Sequence, residues 1–580
     1  MKSHYWLLEA LLRDSAMQCS VPPSEIARDL RTISHRVELE GLSFLTITLP
    51  AFDSVFVRAL SDGRLPSNGF PGFRRTAGLP SFLRGFLRRV FDTSGNLLDE
   101  PCVTTVACLH QICLTFKKVK SSCSNERIAA AMRSYVEIDR SLPDLPLRER
   151  LPTSIDGVFA PSLEELSRNF RVLFQDAVMP LEIKIFNGER LNVKHGPGAT
   201  AERVMFNDKF RWTQWTERLA KIFHPDSYIH AMENVSGWDQ GSSPIPLEAV
   251  APEHETPVRV IHVPKTMKTP RIIAIEPVLM QFMQQGLLDG LTKGVKSSFI
   301  GISTLFDDQS VNATRALKGS KDGHNATLDL SEASDRVSFT VVDALFRPWF
   351  PNVMEALDAT RSRRARVPGS FAKSDVLVTQ GIPESVTNCG LSAPIALQRE
   401  SSERKHLRAL PSGGVHEAVW RGPSRSGRSR STPAPELIIE LRKFASMGSA
   451  VCFPVEAMVF TAIVFTAVAD FRGLSLTSRS ARLIAPTVSV FGDDIIVPVD
   501  AAPLVAAYLE AYGLKVNRKK SFWTGRFRES CGTDAFRGEP VTPAYLKTFD
   551  FGDRHALDWL ALWVEFSNTL YEKGFWETSR

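Results

Sequence analysis

Long apolar runs are scarce in this 580-residue chain. The most apolar stretch, AMVFTAIVFTAVA at 457–469, falls short of the ~20 residues a membrane-spanning helix needs, so it reads as a buried core helix. At the start, MKSHYWLLEALLRDSAMQC is interrupted by Glu9, Arg13 and Asp14, and no secretory signal is expected there. A soluble, cytosolic protein is the expectation. Cysteine is also sparse: eight residues do not make a disulfide framework. Four of them, Cys102, Cys108, Cys113 and Cys123, cluster, which raises zinc. There is no C-x2-C pair, however, and His110 has no second histidine at ligand spacing. Within VTTVACLHQICLTF these cysteines read as small core hydrophobes. Internal repeats are absent. Neither charge dominates, since 70 Lys+Arg against 64 Asp+Glu leave a net +6, which permits a polyanionic partner without requiring one. A hydrophobic content of 43% excludes a wholly disordered or collagenous chain.

What is present is organised unevenly. Residues 1–250 read as mixed helices and loops. Ser24 is a candidate N-cap for SEIARDLRTISHRVELEGL. Ser162 and Glu165 form a capping-box signature ahead of Leu163, Leu166, Phe170 and Leu173 at helical spacing. A basic, aromatic stretch holds Phe70, Phe73, Arg74, Arg75, Phe82, Leu83, Arg84, Phe86, Arg88 and Arg89. It suits nucleic-acid binding, but an amphipathic element with a solvated basic face is the favoured reading. From about 256 strands alternate with long helices: VRVIHVP, IIAI, then PVLMQFMQQGLLDGLTKGV. Strand signal returns at 326–330 and 487–499, and helical signal at 454–471 and 501–512. That pattern argues for an α+β domain. Between 374 and 435 periodicity fades into WRGPSRSGRSRSTPAPE, which reads as a flexible insert.

Chemistry concentrates in four places. In VFGDDIIV, Asp493 and Asp494 sit between apolar β-formers, and Gly492–Asp493 suits a tight hairpin turn. Like charges this close repel unless a cation intervenes, and hard divalent ions take such oxygens. In NATLDLSEASDRVS, Asp329 ends a short strand and Asp335 follows six residues later. A strand-end acid and an acid pair from another element can jointly hold two Mg²⁺ for an in-line phosphoryl displacement. VPKTMKTPRIIAIEP supplies Lys265, Lys268 and Arg271 as a basic strip suited to a triphosphate. FASMGSAVCFPVEAMVF places Ser446, Gly448 and Ser449 in a small-residue loop ahead of the apolar helix, where backbone can approach a template or a ribose.

These pieces, in this order, resemble the RNA-dependent RNA polymerases of positive-strand RNA viruses. The wording is closer still to the replicase catalytic (beta) subunits of the RNA bacteriophages, the leviviruses and their relatives. DLSEASD resembles their motif A, SMGSAVCFPVEAMVF motif B, FGDD motif C and KTPRIIAIEP motif F. GLKVNRKKSFWTGRFRESCGTDAFRGEPVTP resembles motifs D and E, and HGPGA at 195–199 a recurrent loop of these replicases. The resemblance covers about 190–300, 325–345 and 440–547. Two departures stand out: Ser449 replaces the Asn many relatives carry, and the interval between Asp329 and Asp493 is longer than expected, mostly through 374–435. Narnavirus and ourmiavirus polymerases share several of the motifs.

The resemblance implies a right-hand α+β fold of fingers, palm and thumb, with an antiparallel palm sheet backed by helices. Its implied division is 1–255 for an N-terminal region and part of the fingers, 256–325 for fingers with the basic strip, 326–532 for the palm, and 533–580 for a thumb. Asp329, Asp493 and Asp494 are implied as catalytic metal ligands for two Mg²⁺ (or Mn²⁺). Asp335 is the implied 2′-OH sensor, and Lys265, Lys268 and Arg271 the triphosphate contacts. Ser446, Gly448 and Ser449 are implied nucleotide contacts. Lys520 is the implied proton donor to leaving pyrophosphate, with Lys519 as a rival. Arg528, Glu529 and Cys531 are implied near the primer strand. Implied partners are template and product RNA, NTPs, host elongation factors Tu and Ts and a ribosomal protein, with no membrane, in the cytoplasm of an infected bacterium. Two alternatives stay open. A reverse transcriptase usually carries a small or apolar residue where this chain has Gly492. A non-catalytic RNA-binding or capsid-associated protein leaves the strand-end acids unexplained.

Overall fold

The computed structural model describes residues 2–70, 72–121, 123–228, 247–369, 436–549 and 557–580. One compact unit comprises Met1–Val367 with Ile438–Arg580, and Pro368–Leu437 form a separate one. The 374–435 insert lies outside the described residues.

Three strands form the sheet that carries the acids. The hairpin Ser489–Phe491 and Asp494–Pro498 is antiparallel, and Asp494–Pro498 also pairs antiparallel with Asn325–Asp329. Ala326, Leu328, Val490, Ile495, Ile496 and Val497 are buried in these short strands, which is why they read as apolar runs. Beneath them lies the helix Cys452–Phe471. Its residues 454–469 are all buried, as expected of 457–469. Among the described residues, two helical segments are long and apolar enough to cross a membrane by length and composition, this one and Phe44–Asp62. The first is 94% buried inside the protein.

A second, four-stranded sheet has the order Leu437–Glu440, Arg364–Val367, Val258–Val263, Arg271–Ile275. Arg364–Val367 runs parallel to Val258–Val263, which is antiparallel to Arg271–Ile275. The last two strands were expected. The first two were not, because Leu437–Glu440 joins its neighbour from across the whole insert.

Two hydrophobic cores fill the compact unit. The larger gathers Leu163–Phe186, Val278–Ser297, Cys452–Phe471, Ala502–Ala511 and the acid-bearing sheet. The Ser162–Glu165 capping box forms as expected: Glu165 N donates to Ser162 Oγ (3.2 Å) and Ser162 N to Glu165 Oε2 (2.9 Å). Ser24, by contrast, is not the cap, since the helix starts at Pro23 with Pro22 before it. The smaller core joins residues 8–119 to 522–575. Gln111 exchanges two 2.8 Å hydrogen bonds with the backbone of Ala544, and Asp14 accepts from Thr578 N at 2.8 Å. The two ends of the chain therefore share one core, and the expected boundaries at 255 and 533 do not coincide with it. The physical reason is the helix Val103–Leu114, buried from Thr105 and Val106 through Leu114 almost without interruption. A helix apolar all round must be covered on every side. Within it His110 Nδ1 lies 2.9 Å from Asp53 Oδ1, and Cys108 and Cys113 are core; outside it Cys102 and Cys123 are half-buried. In the basic, aromatic stretch Phe70, Phe82, Leu83 and Phe86 face this core, and Arg74 and Arg88 are exposed.

Helix-on-helix approach in the larger core depends on Gly290 and Gly294, four residues apart on Val278–Ser297. A Cβ at Gly294 would stand 1.9 Å from the backbone O of Ala177 on Leu163–Phe186. Overpacking that cannot relax costs about 1–3 kcal/mol. Gly294→Ala is thus expected to lower the thermal midpoint clearly. Gly290→Ala, which meets only the flexible side chain of Leu181, should lower it less. Thermal denaturation of the two variants checks the order.

Candidate active site

The site is built at one end of the acid-bearing sheet. Phe491 pairs with Asp494 across the hairpin, leaving Gly492 and Asp493 as a two-residue turn. Gly492 has φ 56, and a Cβ there would lie 2.6 Å from the Phe453 ring, so both conformation and space demand glycine. Asp494 stands directly opposite Asp329 in the antiparallel register. Facing residues in such a pair have Cβ atoms roughly 4.5–5.5 Å apart, and like charges there destabilise. Asp493 is exposed at the tip, and Asp329 and Asp494 are half-buried.

The surroundings divide the two inner acids. Asp329 Oδ2 accepts from Asn517 Nδ2 (2.7 Å), and Oδ1 lies 3.4 Å from Lys520 Nζ. Asp329 is nonetheless pushed up to about 7, by burial first and then by Asp493 and Glu529 against the pull of Lys520. Asp494 Oδ1 accepts from Ser530 Oγ at 3.3 Å. Burial raises its proton affinity, the Cys531 N–H lowers it and Asp493 raises it again. That N–H comes from a second hairpin, Phe527–Ser530 with Thr533–Phe536, whose turn has Cys531 at φ 48 and Gly532 at φ 75. Lys520 also lies 3.8 Å from Glu529; burial opposes its charge, yet Glu529 and Asp329 raise it above its ordinary value. Lys520, not Lys519, is thus the lysine that meets the acids.

Other expected residues fall around this end. Lys265 reaches solvent but is lowered by partial burial, then by Arg271 and Lys520, and it feels the charges of Asp493 and Asp329. Its loop is anchored from behind by Arg127 Nη1 on Met267 O (2.7 Å) and Cys123 Sγ on Thr266 O (3.0 Å). Lys268 and Arg271 are exposed and form no ion pair with a described residue. Asp335 pairs with Lys443 at 2.9 Å. Gly448, at φ 133, brings the small-residue loop against the 271–275 strand. A Cβ there would lie 2.0 Å from Ala274 O, and Ala274 N donates to Met447 O at 2.9 Å. Ser446 is committed to Tyr135 Oη at 2.9 Å, whereas Ser449 Oγ is buried without a partner among the described residues.

One expectation changes. Arg528 is 1% exposed and donates to the carbonyls of Asn325, Thr524, Gly525 and Phe527, so it fastens the second hairpin to the sheet and does not face a primer. His195, in HGPGA, is packed between Phe210 and Phe282 and lowered to about 4 by burial. Lys209 Nζ holds that loop through Gly196 O, at 2.9 Å, and Gly198 O. Four residues escaped the sequence reading: Asn517, Lys443, Tyr135 and Glu456. Glu456 carried a signal, an acid inside an apolar helix. It is 9% exposed and raised well above the carboxylate range by burial, then by Asp493 and Asp335. Lys443 stood beside a quoted motif and Asn517 inside one, and Tyr135 gave no signal.

Hard carboxylate oxygens at a sheet end, two of them with proton affinity raised by burial and by the charge of Asp493, fit a divalent cation by donor chemistry. Among the described residues no three His, Cys, Asp or Glu side chains are yet drawn into a ligand cluster; Asp329 is turned to Asn517 and Lys520.

Residues 234–382 and 428–550 match the family described as RNA replicase, beta-chain. The RNA-directed RNA polymerase beta chain of Enterobacteria phage fr is 29% identical over 288 residues, 50% of this chain and 37% of the relative. The RNA-directed RNA polymerase subunit beta of Qbeta virus (strain MX1) is 28% identical over 321 residues, 55% of this chain and 39% of the relative. The chain thus matches well under half the length of these relatives. Among solved structures, one titled an in situ structure of BmCPV RNA-dependent RNA polymerase at elongation state aligns over 92% of this chain and 44% of that one. Its TM-score is 0.43 and its identity 10%. Over these two segments the chain is similar to the RNA replicase beta-chain family.

The raised Asp329 gives a pH signature. Its folded affinity, about 7, exceeds the unfolded 3.8. Its contribution to stability is therefore full below 3.8 and lost as pH rises through 7. In EDTA, the thermal midpoint of the unaltered chain should fall further between pH 5 and pH 8 than that of Asp329→Asn. Equal falls would show that Asp329 does not titrate there.

Proposed function

We propose that the chain is the catalytic subunit of an RNA phage replicase. It adds nucleoside triphosphates to an RNA 3′-OH on an RNA template and thereby replicates a positive-strand genome. The observation that carries this reading is the register of Asp494 against Asp329, with Asp493 at the adjoining turn. A stable fold gains nothing from three acids at one sheet end, and similarity to the RNA replicase beta-chain family supports the polymer and the substrate.

In this reading Asp329, Asp493 and Asp494 hold two Mg²⁺ (or Mn²⁺), which when bound align and neutralise the attacking and leaving oxygens. Lys265, Lys268 and Arg271 grip the triphosphate, Arg271 as a fork and the lysines as point charges. Lys520, held charged by Glu529 and Asp329, is placed to give a proton to leaving pyrophosphate. Asp335 meets the ribose 2′-OH, and the unpartnered hydroxyl of Ser449 is available to the same sugar. The acid-bearing sheet is the palm of a right hand, and the 258–275 strands with the basic loop belong to its fingers. The thumb is then composite, from the C-terminal segment together with residues 8–119 that share its core. Partners in this reading are template and product RNA, with elongation factors Tu and Ts and a ribosomal protein as host subunits. The setting is the cytoplasm of an infected bacterium.

NTP incorporation on an RNA template by the purified chain, with and without the two elongation factors, tests the proposal. Asp329→Ala, Asp493→Ala and Asp494→Ala should each abolish incorporation in Mg²⁺ while RNA affinity stays nearly intact, because phosphate contacts come from other residues. Their effects should not add, since the three act as one unit. Preference for dNTPs would favour a reverse transcriptase. RNA binding without any Mg²⁺-dependent synthesis would leave a non-catalytic binding protein.

A further inference from the structure

Residues 442–444 run antiparallel to 337–339. Phe339 N donates to Arg442 O (2.9 Å), Phe444 N to Val337 O (2.8 Å), and Lys443 bridges Ser338. This pairing brings Lys443 to Asp335. The lysine side chain is 0% exposed, and its Nζ lies 2.9 Å from Asp335 Oδ1 and 3.5 Å from the centroid of the Tyr135 ring. The Tyr135 hydroxyl in turn meets Ser446 Oγ at 2.9 Å, at the base of the small-residue loop. Asp139, on the same helix as Tyr135 (Asn125–Arg140), accepts the backbone N–H of Lys443 at 3.0 Å and fixes the strip from behind. Asp335 is 22% exposed, and no described residue donates to its Oδ2.

A buried ammonium is costly, and an apolar side chain of similar volume would often serve stability as well or better. The carboxylate and the aromatic face compensate the charge only in this arrangement. Its consequence is directional: Lys443 occupies one oxygen of Asp335, and the other is left for a donor arriving from the open side. Through Tyr135 the same cation is tied to the loop that carries Ser449.

We propose that Lys443 and Tyr135 are positioning residues for sugar selection, Lys443 orienting Asp335 toward a ribose 2′-OH and Tyr135 locking the Ser446–Ser449 loop to that acid. This rests on the reading of Asp335 as the acid that meets the sugar. A site built to hydrogen-bond a hydroxyl rejects the analogue lacking it, provided the acceptor is held in place. Loosening the acceptor should therefore harm the ribonucleotide more than the deoxyribonucleotide.

The test measures kcat/KM for ATP and for dATP on one RNA template, using the full chain, Lys443→Met and Tyr135→Phe, with thermal denaturation alongside. Lys443→Met is expected to lower the ATP-to-dATP ratio about tenfold, the worth of roughly one well-placed hydrogen bond, mainly through a raised KM for ATP. Tyr135→Phe, which keeps the ring and loses the hydroxyl, should lower the ratio by a smaller factor. A merely structural role would depress both nucleotides together, along with the thermal midpoint, and leave the ratio unchanged. That outcome in a folded Lys443→Met protein overturns the inference; should this variant not fold, an unchanged ratio in Tyr135→Phe does so. If the unaltered chain incorporates neither nucleotide, the polymerase reading falls first and this one with it.

Discussion

Repulsion among the acids at one sheet end, exerted by Asp493 on both Asp329 and Asp494, is the constraint to which the surroundings respond. Antiparallel pairing fixes the two carboxylates opposite each other, and the Gly492–Asp493 turn adds a third. The neighbouring residues answer that repulsion. Asn517 and Lys520 engage Asp329, while Ser530 and the Cys531 N–H engage Asp494. Burial, and behind it the charges of Asp493 and Glu529, still push Asp329 up to about 7. In the proposed function a divalent cation supplies the remaining countercharge.

The two cores meet at this point. The acid-bearing sheet belongs to the larger core, whereas Phe522, Phe527 and Phe536 from the adjoining segment and hairpin belong to the smaller. Between them runs 517–521, which supplies Asn517, Lys520 and Ser521. Thr327 and Phe522 exchange backbone hydrogen bonds across that seam (3.0 and 2.7 Å), and Arg58 from the N-terminal helices holds the carbonyls of Arg518 and Ser521. A residue far from the acids in sequence can therefore alter their geometry through the seam. Arg528 does comparable work from inside, spending its guanidinium on four backbone carbonyls.

Much of the chemistry was legible because it is local. Gly492, Asp493 and Asp494 are contiguous, and an acid pair flanked by buried β-formers has few bland explanations. Asp329 and the Ser162–Glu165 cap were readable for the same reason. Legibility failed where long-range packing decides. The strand Leu437–Glu440 finds its partner only across the insert, and Arg364–Val367 gave no pattern of its own. The sharing of one core by the two chain ends leaves no trace in periodicity. Arg528 was implied near the primer strand, and nothing in a sequence says that four carbonyls will converge on it. Lys443 lay three residues before Ser446 and was passed over because its partner Tyr135 comes from a distant helix. Burial, the property that makes Lys443 informative, is visible only once the fold is known.

Direct measurement of metal binding tests the central claim without relying on turnover. Mn²⁺ can be titrated into the full chain with an RNA template and NTP present, and bound ion read by electron paramagnetic resonance. The account predicts saturable binding that is lost in Asp329→Asn and in Asp494→Asn while both variants retain their fold. Binding of equal strength in all three proteins would contradict it, and would place the metal, and with it the chemistry, elsewhere in the molecule.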